Sequence, residues 1–176
     1  MGGLACGLAL LLATSCSGGL DADGPFGGSG PNSGGICAPV RPGEVAYDGF
    51  EQFPNTGGRA TITRVRLVHP RHLRLVAAWV LPTSGALEGV GVGVGYPTAS
   101  KLAANGSDAH WDLRERIPGA VVRHTRGHRA IVLVIVARPT GKVGTSRAVD
   151  LYYESAGKHY LLHYPYGFTV KVARTC

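Results

Sequence analysis

The sequence Ala130-Ile131-Val132-Leu133-Val134-Ile135-Val136-Ala137 is an uninterrupted apolar run that is rich in β-branched residues. β-Branched side chains favour extended backbone, and eight residues are too few to cross a bilayer as a helix. A strand that is apolar on both faces is typical of the middle of a sheet that is covered on both sides. The run therefore predicts a central, fully buried β-strand.

Upstream of this run, apolar residues recur with the two-residue period of a strand. In 73–81 the alternation predicts one buried face with Trp79 as the central core aromatic. In 59–68 the apolar phase slips between Ile62 and Val65, which indicates a β-bulge. Both segments are therefore predicted to pack one face against the core.

The same signal continues along the chain, broken by Gly and Pro, and no segment has a sustained helical stripe. The predicted strands are 59–68, 73–81, 89–96, 119–124, 129–138, 148–154, 158–164 and 168–173. Together they predict an all-β fold, a two-sheet immunoglobulin-like β-sandwich of about eight strands. A small β-barrel is the alternative.

Two connections are distinctive. Ser155-Ala156-Gly157-Lys158 lies between two strand patterns and predicts a tight hairpin. The Ser-x-x-Lys motif of penicillin-binding enzymes would require this serine to begin a helix, so we interpret the stretch as a turn. Residues 101–118 are irregular and predict a long surface loop with one helical turn.

Glycine alternates with valine in Gly89-Val90-Gly91-Val92-Gly93-Val94-Gly95. This pattern places the valines on one strand face and bare backbone on the other, where another group can approach closely. The spacing matches neither a dinucleotide-binding loop nor a P-loop, so we expect a structural strand.

The chain begins with a signal-like segment. Residues 4–15 are apolar, end at Cys16 and precede a Gly/Ser tract. Their length suits a secretory signal peptide and is too short for a transmembrane helix. We therefore expect 1–16 to be a signal peptide that ends at a lipidated Cys16, since two acyl chains give stable anchoring. An ordinary cleaved signal peptide and a secreted protein are the alternative.

The rest of the chain divides into a tether and a domain. Residues 17–36 are rich in Gly, Ser and Pro, a composition typical of a flexible linker. Residues 37–176 have the size of one domain with one core. In an oxidising environment Cys37 and Cys176 are predicted to form a structural disulfide that ties the ends of this domain together.

These features resemble a group of small actinobacterial exported lipoprotein-like proteins. The likeness lies in segments 12–16, 71–76, 149–153 and 157–162 and in the pair Cys37 and Cys176. The resemblance implies a β-sandwich at the extracytoplasmic face of the bacterial cell membrane, and it implies no particular activity.

The charge of the chain is basic. It has 18 Lys and Arg residues and 11 Asp and Glu residues. Two of the acidic residues, Asp21 and Asp23, lie in the tether. The domain therefore carries 18 basic and nine acidic residues, which is a formal charge of +9. A basic domain attracts anionic lipids or acidic envelope polymers. The charges are scattered without a long run, which favours a solvated surface. We expect an envelope protein or an anionic envelope polymer as partner, no nucleic acid, and a monomer.

Catalytic and metal-binding patterns are weak. His124 and His128 flank a turn and are candidate metal ligands, but a metal site needs three or four donors, so exposed turn histidines are the preferred interpretation. Asp108, Asp112 and Glu115 form one acidic cluster in the irregular loop. No serine has the nucleophile-elbow setting. We therefore expect no cofactor, no metal and no enzyme activity.

Tyrosines concentrate in the last three predicted strands, and amphipathic rings are favoured at binding surfaces. The candidate binding surface consists of Tyr152, Tyr160, Tyr164 and Tyr166. Cross-strand aromatic packing is the alternative. The sequence thus favours a membrane-anchored, non-catalytic binding or accessory module in the cell envelope, with a metal-dependent or hydrolytic envelope enzyme as the alternative.

Overall fold

The structure is a computed structural model that describes residues 24–26, 34–83, 90–104, 110–125, 127 and 130–176. Its strands are β1 (Gly34–Val40), β2 (Ala46–Pro54), β3 (Arg59–Val68), β4 (Leu73–Thr83), β5 (Gly91–Val94), β6 (Glu115–Arg116), β7 (Ala120–Arg123), β8 (Ala130–Pro139), β9 (Val143–Ser146), β10 (Ala148–Ser155), β11 (Lys158–Tyr164) and β12 (Tyr166–Val172). Helix α1 spans Ala99–Ala104, and a 3-10 turn spans Trp111–Leu113. None of the described helices has the length and hydropathy needed to span a bilayer.

The strands of the described residues form three sheets that pack together as an all-β sandwich. This confirms the predicted all-β sandwich class, with three sheets and twelve described strands in place of the expected two sheets and about eight strands. A four-stranded sheet has the order β11-β10-β3-β7, and a five-stranded sheet has the order β5-β2-β8-β4-β6. A third sheet, β1-β12-β9, pairs β1 with β12 in parallel. The main core lies between the sheets, because β1, β3, β8, β10 and β12 all contribute buried side chains to one cluster.

Strand β8 is the central strand, as predicted. It lies between β2 and β4 in the five-stranded sheet. Ile131, Leu133 and Ile135 point into the main core, whereas Val132 and Val134 belong to a second apolar cluster. That second cluster lies on the outer face of the sheet and includes Leu102 of α1. Both faces of β8 are therefore shielded from solvent, which explains its unbroken apolar sequence.

Two bulges set which side chains reach the main core. In β3, Ile62 pairs with Tyr153 and Arg64 pairs with Tyr152, so Thr63 is the extra residue and the predicted bulge is confirmed. A second bulge lies in β4 between Leu75 and Ala77. It reverses the alternation of the strand, as a one-residue insertion must.

The β4 bulge corrects the assignment of Trp79. Leu73 lies in the main core, but after the bulge that role passes to Ala78 and Val80. Trp79 instead packs against the second cluster on the outer face. Among the aromatics of the main core is Phe168, which is 1% exposed.

The structure also contains strands that the sequence did not predict, and some of the residues it describes were assigned to the tether. Strands β1, β2, β6 and β9 were not predicted, and residues 34–36, assigned to the tether, begin β1. Phe26, also assigned to the tether, is 1% exposed and forms a bridge to Asn55. Cys37 and Cys176 are joined by a disulfide, which ties β1 to the end of the chain.

Candidate functional site

Arginines cluster on the outer face of the four-stranded sheet. In β3, Ala60 and Ile62 point into the core, so the alternating positions carry their side chains outward. The outward residues Arg59, Arg64 and Arg66 of β3, Arg123 of β7 and Tyr152 of β10 are called the arginine face.

Three of these arginines have no acidic partner among the residues that the structure describes. Within the described part of the chain, no carboxylate lies within ion-pair distance of Arg59, Arg64 or Arg123. Arg59 and Arg123 are directly opposite each other in the sheet. Like charges at opposed positions are unfavourable, and a bound anion would relieve that repulsion. The face is therefore electrostatically prepared for a negative ligand.

Tyr152 lies at the centre of the face, between two arginines. The guanidinium carbon of Arg64 is 5.4 Å from the centroid of its ring, and that of Arg66 is 6.0 Å away. Cation–π attraction at such distances holds each guanidinium over the ring and contributes about 0.5–1 kcal/mol at exposed sites. The two cations are thereby kept close together in fixed positions.

Arg66 is also held by Asp150. Its Nη2 atom donates to Oδ2 of Asp150 at 2.9 Å, and Nδ1 of His163 lies 2.7 Å from Oδ1 of the same carboxylate. The Asp150 side chain is only 5% exposed, although both partners are about half exposed. Asp150 thus neutralises Arg66 and fixes its direction, whereas Arg64, beside Tyr152, has no acidic partner among the described residues.

The Asp150–His163 pair has the geometry by which a carboxylate orients an imidazole for general-base catalysis. Such chemistry also requires a nucleophile within hydrogen-bond distance of the other ring nitrogen. Among the residues that the structure describes, no hydroxyl or thiol contacts His163. Nor do three or more metal-binding side chains converge anywhere in the same described ranges. We therefore assign Asp150 a positioning role, in which it orients the His163 ring and holds the Arg66 side chain.

The structure does not bring the four predicted tyrosines together. Tyr152 lies on the arginine face, but Tyr160 is 9% exposed and stacks on Tyr153 in the main core. Tyr164 packs edge-on against Phe53 and contacts Tyr166. Tyr160 is thus corrected to a core residue, because even-numbered positions of β11 face inward.

The remaining predicted sites are only partly described. Nδ1 of His124 is 2.7 Å from the carbonyl oxygen of Asn55, while His128 lies outside the described residues. Asp108 and the lipidation candidate Cys16 also lie outside them, as do all of residues 1–23.

The arginine face itself was not predicted. Its only signal in the sequence was the two-residue spacing of Arg64 and Arg66 within a strand pattern. Comparison with family models, with curated proteins and with solved structures found no match to this chain.

Proposed function

We propose that the chain is a non-catalytic binding module that is exported, anchored through Cys16 at the extracytoplasmic face of the bacterial cell membrane, and binds an anionic envelope polymer on its arginine face. The observation that carries this proposal is that Arg59, Arg64 and Arg123 share one sheet face and have no acidic partner among the described residues. Aromatic residues and Arg are also enriched at binding surfaces, where Lys and Glu are depleted.

The shape of the face favours a linear ligand. Arg59 and Arg64, the unpaired arginines of β3 among the described residues, are five residues apart, and the Thr63 bulge leaves four strand steps between them. At the usual strand rise of about 3.3 Å this is about 13 Å. A single small anion cannot reach both ends of such a row. A polymer with repeated negative charges can lie along β3 and contact Arg64 and then the pair of Arg59 and Arg123.

The proposal is tested by binding of the full chain to immobilised polyphosphate, with uncharged dextran as the control polymer. We expect retention on polyphosphate that falls steeply as salt rises, because exposed charges are screened over about 10 Å at 0.1 M. A triple variant, Arg59→Gln with Arg64→Gln and Arg123→Gln, removes the three unpaired cations and should weaken binding about a hundredfold, at roughly 1 kcal/mol per contact.

A matched control removes the same charge elsewhere. Lys142, Lys171 and Arg174 lie on or next to the three-stranded sheet. Changing these three residues to Gln should leave most of the binding intact. Equal losses from both triple variants would show that net charge alone drives retention, and the arginine face would be rejected as a site.

The anchor requires its own experiment. Intact mass of protein from the membrane fraction should show a diacylglycerol adduct on Cys16, and Cys16→Ser should move the chain from the membrane to the soluble extracellular fraction. An unmodified chain that remains in the membrane fraction, or a cytosolic chain with reduced Cys37 and Cys176, would contradict the anchored, exported form.

A further inference from the structure

Three aromatic rings meet on the opposite side of the sandwich, over the outer face of the five-stranded sheet. Trp79 in β4 makes edge-to-face contacts with Tyr96, at 6.4 Å between ring centroids, and with Trp111, at 5.6 Å. We call Trp79, Tyr96 and Trp111 the aromatic platform. It contains both tryptophans of the chain.

The platform packs against the second apolar cluster on one side and is exposed to solvent on the other. Trp79 and Trp111 are partly buried against the second apolar cluster, which includes Leu81 and Val134. Tyr96 is 46% exposed. Trp79 is fixed on strand β4, and its edge-to-face contacts hold Tyr96, in the bend after β5, and Trp111, in the 3-10 turn, beside it. Such contacts reduce the ordering entropy that is lost on binding.

Two arginines border the platform. The guanidinium carbon of Arg114 is 4.9 Å from the centroid of the Trp111 ring, and its Nη1 atom donates to the Trp111 carbonyl at 2.8 Å. Arg116 is opposite Trp79 in the β4–β6 pair, so both side chains leave the same face of the sheet. Within the described residues neither arginine has an acidic partner. Their remaining donors are available to a ligand.

The size and chemistry of this surface select the class of ligand. Tyr96 is about half exposed and the two tryptophans are less so. The three rings together expose on the order of 200 Å², whereas a specific protein partner covers about 800 Å² on each side. The area suits one or two sugar rings, whose C–H groups are attracted to the negative face of an aromatic ring. Unpaired guanidinium groups beside the rings favour a carboxylate, which Arg binds in a bidentate manner.

We propose that the aromatic platform is a binding site for an acidic saccharide, with a sugar ring stacked on the platform and its carboxylate bound by Arg114. The aromatic platform shares no residue with the arginine face, and the proposal stands whether or not the arginine face binds a polymer.

Tryptophan fluorescence tests the proposal directly, since both tryptophans of the chain lie in the platform. Titration of the full chain with oligogalacturonate should change the emission in a saturable way, and neutral malto-oligosaccharides should give a much smaller change. Tyr96→Ala and Arg114→Gln, both at exposed positions, should each weaken binding about tenfold.

Two control variants keep this result distinct from the proposal for the arginine face. Tyr152→Ala removes a tyrosine on the other side of the sandwich, and the triple Gln variant of Arg59, Arg64 and Arg123 removes the arginine face. Both should leave the fluorescence titration unchanged. Loss of the response in these variants would overturn the assignment to the platform.

Three other outcomes would also overturn the proposal. One is the absence of any emission change with oligogalacturonate, and a second is an equal response to neutral sugars, which would exclude recognition of the carboxylate. The third is a blue shift with vesicles of phosphatidylglycerol and phosphatidylcholine but none with saccharides, which would identify the platform as a membrane contact.

Discussion

Asp150 and His163 lie opposite each other on neighbouring strands, with 2.7 Å between Oδ1 of the aspartate and Nδ1 of the histidine. The aspartate is almost fully shielded although it lies on a sheet face that solvent reaches, because His163 and Arg66 cover it from both sides. A carboxylate removed from water in this way is stable only while its partners remain. Asp150 therefore fixes the Arg66 end of the arginine face.

Removing Arg66 should destabilise the fold. In Arg66→Gln the shielded carboxylate of Asp150 loses its ion pair, and we expect a loss of about 1–3 kcal/mol in the free energy of unfolding. Urea denaturation measures it. Arg64→Gln is the matched control, since Arg64 has no acidic partner in the described structure, and it should lose only the cation–π contact with Tyr152, worth about 0.5–1 kcal/mol. Similar losses in both variants would contradict the role assigned to Asp150.

We predict that the buried phenol of Tyr153 makes the domain less stable at alkaline pH. Burial raises the pKa of its phenol above the ordinary value of 10.0, with a further contribution from Tyr160 and an opposing one from a hydrogen bond with the Phe26 backbone. Above pH 10.0 the unfolded chain releases this proton while the folded chain retains it. The contribution of Tyr153 is therefore fully present below the unfolded pKa and is lost as pH rises towards the folded pKa.

Unfolding by urea at pH values on both sides of 10.0 tests this dependence. Tyr153→Phe cannot ionise, so its stability should decline less steeply with rising pH than that of the unmodified chain. Tyr152→Phe, on the outer face, is the control and should follow the unmodified chain. An unchanged slope in Tyr153→Phe would show that another group causes the alkaline loss.

Gly93 should tolerate no larger side chain. It is opposite Tyr47 in the β2–β5 pair, and a Cβ atom at Gly93 would lie 2.6 Å from Cζ of the Tyr47 ring. Gly93→Ala must therefore displace this fully buried ring, and we expect a loss of about 1–3 kcal/mol in thermal or urea unfolding. Gly127→Ala, where a Cβ would meet nothing within 4 Å, is the control.

A double-mutant cycle identifies the ring as the cause. In the background Tyr47→Ala the clash is absent, so Gly93→Ala should cost much less than it does in the unmodified chain. Equal costs in the two backgrounds would mean that Gly93 is required for its backbone conformation alone.

Local patterns in the sequence predicted most strands, because periodicity and turn residues act over a few positions. Strand β8 and the close approach of Tyr47 to Gly93 were both predicted in this way. The expected single face of valines was wrong, because Val90 belongs to the second apolar cluster whereas Val92 packs against the main core. Trp79 was misassigned because the β4 bulge lies within Leu75-Val76-Ala77. All three residues are apolar, so the pattern of apolar and polar residues does not show that the inward and outward positions are exchanged there.

Features that depend on distant strand pairing could not be predicted. Strand β1 contains Pro39 and is extended by pairing with β12, more than a hundred residues away. Arg66 and Asp150 are 84 residues apart, and their contact depends on the β3–β10 register, which the Thr63 bulge shifts. The arginine face exists only once that register is set, so its residues had no common signal in the sequence.

The disulfide should contribute much of the stability of the domain. Cys37 and Cys176 are separated by 139 residues, and closing so long a loop contributes on the order of 5 kcal/mol in the chain-entropy model. The double variant Cys37→Ser and Cys176→Ser should therefore unfold at a much lower urea concentration. Reduction of the unmodified chain should reproduce that midpoint, and reduction should have no effect on the double variant.

The β10–β11 hairpin offers a stabilising substitution. Ser155 pairs with Lys158, and the two central residues, Ala156 and Gly157, have φ values of 50° and 74°. Positive φ at both positions defines a type I′ turn, for which Asn-Gly is the preferred sequence. Alanine is strained in this region, because its Cβ atom approaches the backbone carbonyl, whereas asparagine tolerates it.

Ala156→Asn should therefore stabilise the domain by about 0.5–1 kcal/mol, measured as an increased urea midpoint with an unchanged slope. Ala156→Val should do the opposite, since a β-branched residue at positive φ is a severe outlier. The turn lies at the end of the four-stranded sheet, where Ser155 Oγ also donates to the Arg59 carbonyl. A type I′ turn requires this order of stabilities, with Asn above Ala and Ala above Val, and any other order would contradict the assigned backbone conformation.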